Sequence, residues 1–187
     1  MEEEARFCID VAKEKMDKAL KHLEEEFAHV RAGKATPNIL DGITIDYYGA
    51  ITPLNQTSNI GTPDAKTIVI QPWDKSMIDT IEKAILYANI GLTPMNNGEL
   101  IRLNIPPLTE ERRRNLVKQV KAMGENTKIS IRNARRDAND ELKKLLKDGL
   151  PEDVEKESVE EVQIMTDDYI HKTDMVVTGK EKEIMTV

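Results

Sequence analysis

Residues 106–148 read PPLTEERRRNLVKQVKAMGENTKISIRNARRDANDELKKLLKD, and this stretch decides the fold. Two prolines open it. Thr109 is placed to cap a helix, and Glu110 and Glu111 fall in the first turn, where the helix dipole favours negative charge. No proline follows before Pro151, and Gly124 costs about 1 kcal/mol without ending a helix. Leu116, Val120, Met123, Thr127, Ile131, Ala134, Ala138, Leu142 and Leu145 recur at steps of three and four, the stripe of a straight amphipathic helix and not a strict heptad. One helix from Thr109 to Leu146 is predicted, roughly 57 Å long at about 1.5 Å per residue.

The same helix carries a second stripe. Lys118, Lys121, Lys128, Arg132, Arg135, Asn139 and Lys143 fall together, roughly 130° around the axis from the apolar one. Thr109–Asp148 holds 12 Lys+Arg against 7 Asp+Glu, a net of +5. The whole chain, with 27 basic and 34 acidic residues, is at −7, so the remainder carries −12. A charged stripe on a helix is ordinarily a solvated face. Here Arg132, Arg135 and Arg136 cluster with few acids between them, and the planar guanidinium fork suits phosphate. A cationic ridge on an otherwise acidic chain points to a nucleic-acid partner met by one face only.

The totals fit this picture. A chain of 187 residues forms one or two domains with a real core. With 4% aromatic and 33% charged residues that core is aliphatic, which suits helices better than a β-sandwich. Cys8 is the sole cysteine, so no disulfide forms within the chain, as fits a reducing compartment. The acidic start MEEEARF lacks the regions of a signal or transit peptide, and no apolar run approaches the ~18 residues that span a membrane. A soluble cytoplasmic protein without membrane contact is expected.

Residues 1–32 read as a first amphipathic helix, with Ala5, Cys8, Ile9, Ala12, Met16, Leu20, Leu23, Phe27 and Val30 on one face and Gly33 at its end. From Lys34 to Ile105 prolines and glycines punctuate short β-rich segments. Ile43–Tyr48, Thr67–Gln71 and Leu100–Asn104 are predicted strands, Asn55–Ile60 is a fourth candidate, and Ser76–Ala88 is a helix. After the turn Gly149-Leu150-Pro151 a third long helix runs from Glu152 towards Lys182, with Gly179 as a place to end or fray. The expected fold is α+β: a three-helix bundle of residues 1–32 plus 106–187, which is the nucleic-acid-binding domain, with a small β/α/β domain of residues 33–105 inserted between its first two helices. Two chain crossings join the domains, so Ala32, Gly33 and Ala35 on one side and Asn104, Ile105, Pro106 and Pro107 on the other are the candidate hinge. A disulfide from Ala35 to the strand end at Asn104–Ile105 should then lock it.

No catalytic set emerges. His22 and His29 lie two turns apart on one helix, His171 is remote, and no Cys–His or HExxH spacing exists. Cys8 lies on the apolar stripe and reads as core. No Gly-rich phosphate loop is present. The expectation is a protein that is not an enzyme and uses no metal or cofactor.

RAGKATP (31–37), DGITIDYYG (41–49), TPLNQ (52–56), PPLTEERR (106–113) and RNARRDAND (132–140) together resemble the ribosome recycling factor family, bacterial type, in order and spacing over essentially the whole chain. The resemblance implies an L-shaped, tRNA-like molecule with a flexible hinge. It implies a translation factor that, with elongation factor G and GTP, disassembles the post-termination 70S ribosome and releases subunits, mRNA and deacylated tRNA. Its bundle would contact large-subunit ribosomal RNA. The matching basic positions are Arg31, Lys34, Arg113, Lys121, Arg132, Arg135 and Arg136, to which the stripe adds Lys128. Many family members have arginine where this chain has Lys34, and lysine keeps the charge without the fork. A monomer is the simplest expectation. The competing class is a non-ribosomal helical adaptor whose charges only keep it soluble. A hydrolase would need a converging polar set that the sequence does not offer.

Overall fold

The 3.6-residue periodicity of the three long segments becomes three long helices in the computed structural model, which describes residues 2–186. The helices are α1 (Glu2–His29), α2 (Ile78–Tyr87), α3 (Glu110–Lys147) and α4 (Glu152–Met185). The chain divides into two compact units, one holding the residues up to Val30 and from Glu111 onwards, the other Arg31–Glu110.

The first unit is the bundle of α1, α3 and α4. Ala5, Ile9 and Ala12 of α1 pack with Ala138 and Leu142 of α3, Leu150, and Val162 of α4. A second layer joins Met16, Ile131, Ala134 and Tyr169. Met16, Leu23, Val120, Ile131, Leu142 and Val162 are completely buried, each contributing about 1.5–3 kcal/mol over its exposed state. Three buried threonines on α3 and α4 cost little because each hydroxyl donates to its own helix: Thr127 to the Met123 carbonyl at 3.2 Å, Thr166 to Val162 at 2.7 Å and Thr173 to Tyr169 at 2.8 Å.

The α3–α4 connection is built by local chemistry. Gly149 takes φ 110°, its N–H donates to the Leu146 carbonyl, and the Leu150 N–H donates back to Leu145 at 2.9 Å. This is a Schellman closure, sealed by Leu150 and Leu145 in the same apolar cluster. Pro151 then cannot continue α3, and Glu152, Asp153 and Glu155 favour the first turn of α4. The chain does not break at Gly179. The helix runs on to Met185, held by the fully buried Ile184, and an exposed glycine costs only about 1 kcal/mol in such a frame.

The second unit contains a hairpin of β1 (Thr44–Tyr47) and β2 (Ala50–Pro53), and a four-stranded antiparallel sheet of β3 (Ser58–Asp64), β4 (Thr67–Pro72), β5 (Pro94–Asn96) and β6 (Ile101–Asn104) in the order β3-β4-β6-β5. Ile68, Ile70, Ile101 and Leu103 are fully buried, with Ile78, Ile81 and Ile85 of α2 in the same core. The hydrophobic alternation of Thr67–Gln71 is thus the pleat of a central strand. Strands β2 and β5, which the sequence did not announce, are short and contain proline. The candidate Asn55–Ile60 splits, since Leu54–Gln56 is a 3-10 turn and β3 begins at Ser58.

Candidate nucleic-acid interface

Helix α3 buries Leu116, Val120, Gly124, Thr127, Ile131, Ala134, Ala138 and Leu142. Residues on its opposite side are turned outward by the same geometry. Lys118, Arg132, Arg136 and Lys143 are exposed there. Arg132 makes no hydrogen bond or ion pair among the described residues, and neither do Lys118 and Lys143. Arg136 donates through Nη2 to Asn133 Oδ1 at 2.5 Å on its own helix and stays exposed.

The remaining predicted cations sit in different surroundings. Arg135 is half-buried and donates to Gln163 Oε1 of α4 at 3.1 Å, and Gln163 Nε2 in turn donates to Asp167 Oδ1 at 2.8 Å. Lys128 is only 15% exposed, with its ammonium between Asp174 of α4 and Glu125. The hydrogen bond to Asp174 raises its pKa above the usual lysine range, partly offset by burial. Lys121 is exposed and lies 3.8 Å from the half-buried Glu181, a loose pair. Arg113 donates to the Met185 carbonyl at 3.2 Å, near the end of α4. The stripe predicted as one row is therefore two. The outward row carries Lys118, Arg132, Arg136 and Lys143, while Lys128 and Arg135 lie on its margin and bind acceptors on α4. In the free chain the charge of Lys128, predicted in the same stripe, is thus engaged by Asp174 and Glu125. Gln163 and Asp174, the residues that hold these two cations, left no signal in the sequence because they come from a different helix.

Arg31 and Lys34 belong to the second unit. Arg31 is exposed and donates through Nη1 to the Ile90 carbonyl at 2.5 Å; Lys34 is partly exposed. The candidate hinge residues also lie in this unit, because the division falls at Val30–Arg31 and Glu110–Glu111. Ala35 N–H donates to the Ala65 carbonyl and Ile105 N–H to the Lys66 carbonyl, each at 2.8 Å. Both strands of the crossing are thus tied to the turn between β3 and β4, and a disulfide from Ala35 to Asn104–Ile105 would link points already fixed within one unit. Gly33, at φ 74°, is packed so that a Cβ would lie 3.0 Å from Leu108 Cγ. Ala32 is buried and Pro106 and Pro107 precede α3. No group of three or more His, Cys, Asp or Glu among the described residues is arranged to hold a metal.

Fold and surface together define a three-helix-bundle protein with a sheet unit inserted in its sequence and one basic helix face. A sequence model of the ribosome recycling factor family matches residues 23–185. The Porphyromonas gingivalis protein named ribosome-recycling factor is 57% identical over 185 residues, covering 98% of this chain and 100% of its own length. The Flavobacterium johnsoniae protein of the same name is 54% identical over 187 residues, covering 100% of both chains. A solution structure of a ribosome recycling factor superposes with a TM-score of 0.81 at 37% identity, over 98% of each chain. A model of the T. thermophilus ribosome recycling factor, built with E. coli elongation factor G on the E. coli post-termination complex, matches with a TM-score of 0.64 at 42% identity, over 97% of this chain and 99% of that one. The chain belongs to the ribosome recycling factor family. Among the described residues no helix is long and apolar enough to cross a membrane.

Proposed function

We propose that this chain works in translation after termination. With elongation factor G and GTP it splits the 70S ribosome and frees the subunits, the mRNA and the deacylated tRNA. The observation that carries this reading is identity of 51–57% to ribosome-recycling factors along essentially their whole length, together with the likeness to a factor placed beside elongation factor G on a post-termination complex.

The bundle is the part that grips ribosomal RNA of the large subunit. Arg132 and Arg136 lead, with Arg113, Lys121 and Arg135 beside them and Arg31 and Lys34 contributing from the second unit. Phosphate contacts of this kind read the shape of folded RNA and not its base sequence. The acidic remainder of the chain limits adhesion to other RNA. The Arg31–Glu110 unit is the part that elongation factor G displaces, about the two crossings at Val30–Arg31 and Glu110–Glu111. Free energy enters through GTP hydrolysis on the partner. The chain itself is a monomeric, non-enzymatic cytoplasmic factor without metal or cofactor.

The test is direct. Purified chain is added to post-termination 70S complexes with elongation factor G from the same organism and GTP, and subunits are followed by light scattering and sedimentation. Release that requires the chain, the partner and GTP together is expected. Intact 70S particles under those conditions would overturn the proposal.

A further inference from the structure

Two rows of opposite charge run along the seam between α3 and α4 with the same period. On α3 the cations are Lys121, Lys128 and Arg135; on α4 the carboxylates are Asp167, Asp174 and Glu181. Each row steps by two helical turns, about 10.5 Å along the axis. The Gly149 turn sends α4 back along α3, with Gly124 set against Val177, so the rows meet rung by rung. Lys121 faces Glu181 and Lys128 is held by Asp174. Arg135 donates to Gln163, whose own amide N–H is bound by Asp167. The first two rungs border a cavity of about 430 Å³ between the helices, so a ligand can reach the paired groups.

Helix α3 thus carries cations in two conditions. Lys118, Arg132 and Lys143 on the outward row have no partner among the described residues, while the seam cations are occupied by α4. The bundle does not need these pairs to hold together. Its stability comes from the buried apolar layers, and Asp174, 53% exposed, belongs to the kind of surface pair that adds little to a fold. Such a carboxylate acts instead on what the cation can bind, because a phosphate must displace it first. A rigid RNA surface seated on the outward row would present its phosphates to the seam at high effective concentration. A flexible single strand must also be ordered there, and the carboxylates weigh more heavily against it.

We propose that Asp167, Asp174 and Glu181 are specificity-determining residues: they withhold the seam cations from single-stranded and other loose RNA, and leave the outward row as the contact that is ready in the free chain. This inference rests on the reading of the chain as an RNA-binding factor. It assigns to three placed residues a discrimination that the acidic excess of the whole chain supplies only diffusely.

The test measures binding of the full chain to poly(U), a single strand without ribosomal shape, at several salt concentrations. Asp167→Asn, Asp174→Asn and Glu181→Gln are combined in one seam variant. A second triple variant, Glu24→Gln with Glu25→Gln and Glu157→Gln, makes the same change of total charge at exposed acids off the seam. The seam variant is expected to steepen the slope of log affinity against log salt by roughly 0.7 for each cation released. With two or three cations released, its advantage over the native chain grows about five- to tenfold as salt falls about threefold. The second variant should keep the native slope. Lys128→Gln in the native background should also keep it, since a lysine already held neutralises no phosphate of the strand. A native slope for a seam variant that circular dichroism shows to be folded, equal steepening in both triple variants, or a flatter slope for Lys128→Gln would each overturn the proposal.

Release of subunits from post-termination ribosomes separates this inference from the ribosomal reading. An excess of poly(U) should slow release by the seam variant by about threefold or more and leave the native chain unaffected. Equal resistance of the two would remove the three acids from specificity. No release by the native chain even without poly(U) would sink the ribosomal reading, while the poly(U) slopes would still decide what the seam does.

Discussion

Gly124 of α3 lies so close to Val177 of α4 that a Cβ on the glycine would stand 2.5 Å from Val177 Cγ2. Two effects of opposite sign meet at this point. Replacing a helical glycine with alanine favours the helix by about 1 kcal/mol. Forcing a methyl into a packed helix crossing costs about 1–3 kcal/mol, and valine, stiff at χ1, has no easy rotamer to yield. Gly124→Ala should therefore lower stability, by about 1 kcal/mol net, in urea unfolding followed by circular dichroism. Adding Val177→Ala should restore most of the loss. A stabilised single variant would show that α3 and α4 adjust freely at this crossing.

The buried phenol of Tyr169 makes stability depend on alkaline pH. Its hydroxyl donates to the Asp17 carboxylate of α1. Burial first, and the hydrogen bond and charge of Asp17 next, push its pKa up to about 12. An unfolded tyrosine titrates near 10. The folded state thus favours the protonated phenol, and this stabilisation is fully present below pH of about 10 and is lost as pH rises towards 12, since the unfolded chain releases its proton first. The urea midpoint of the native chain should fall more steeply across that interval than the midpoint of Tyr169→Phe. At neutral pH the variant should be less stable by about 1.5–3 kcal/mol, the worth of a hydrogen bond to a charged group. Parallel pH profiles for the two proteins would refute the assignment.

Much of this could be read from the chain. Steps of three and four gave α1, α3 and α4 to within a few residues because each long helix buries one continuous stripe. The same periodicity misplaced two details on α3. Met123 reads as core, yet Gly124 is the buried residue, because α4 approaches there and only a missing side chain admits Val177. Lys128 and Arg135 share an angular sector with Arg132, yet they bind Asp174 and Gln163 on α4. Periodicity places a residue on its own helix and is silent about what the neighbouring helix brings to it. The short strands Ala50–Pro53 and Pro94–Asn96 escaped although each belongs to a local hairpin, β1–β2 across Tyr48-Gly49 and β5–β6 across residues 97–100: three or four residues that include a proline are too few to show an alternation. Family-level function was legible in PPLTEERR and RNARRDAND, whose specificity exceeds any stripe.

Lys128 offers a way to separate charge from availability. Its ammonium is held by Asp174 and Glu125, so it is not free to meet phosphate. Asp174→Asn keeps the shape and removes most of the hold. If the chain binds ribosomal RNA as proposed, the freed lysine should neutralise one further phosphate, and the slope of log affinity against log salt should steepen by roughly 0.7–0.9. Stability should change by no more than about 1 kcal/mol, as befits a pair at the surface. An unchanged slope with an unchanged fold would mean that Lys128 points away from the RNA whether or not it is paired.

The outward row on α3 carries the sharper prediction. Lys118, Arg132 and Lys143 are exposed and lack partners among the described residues, so reversing their charge disturbs little inside the bundle. Arg132→Glu combined with Lys143→Glu should leave the urea midpoint within about 0.5 kcal/mol of the parent. Ribosome binding should weaken, and its salt slope should flatten by roughly 0.7–0.9 for each phosphate that is no longer neutralised. Arg135→Glu behaves differently on physical grounds, because it replaces the donor to Gln163 with an acceptor close to Asp167 and leaves like charges facing each other across α3 and α4. It should cost about 1–2 kcal/mol of stability in addition to any weakening of binding. Binding of the Arg132/Lys143 double variant is measured by co-sedimentation with 70S ribosomes at several salt concentrations. A parental slope for that variant, set beside a flattened slope for Arg135→Glu alone, would move the RNA-binding surface from the outward row to the margin beside α4.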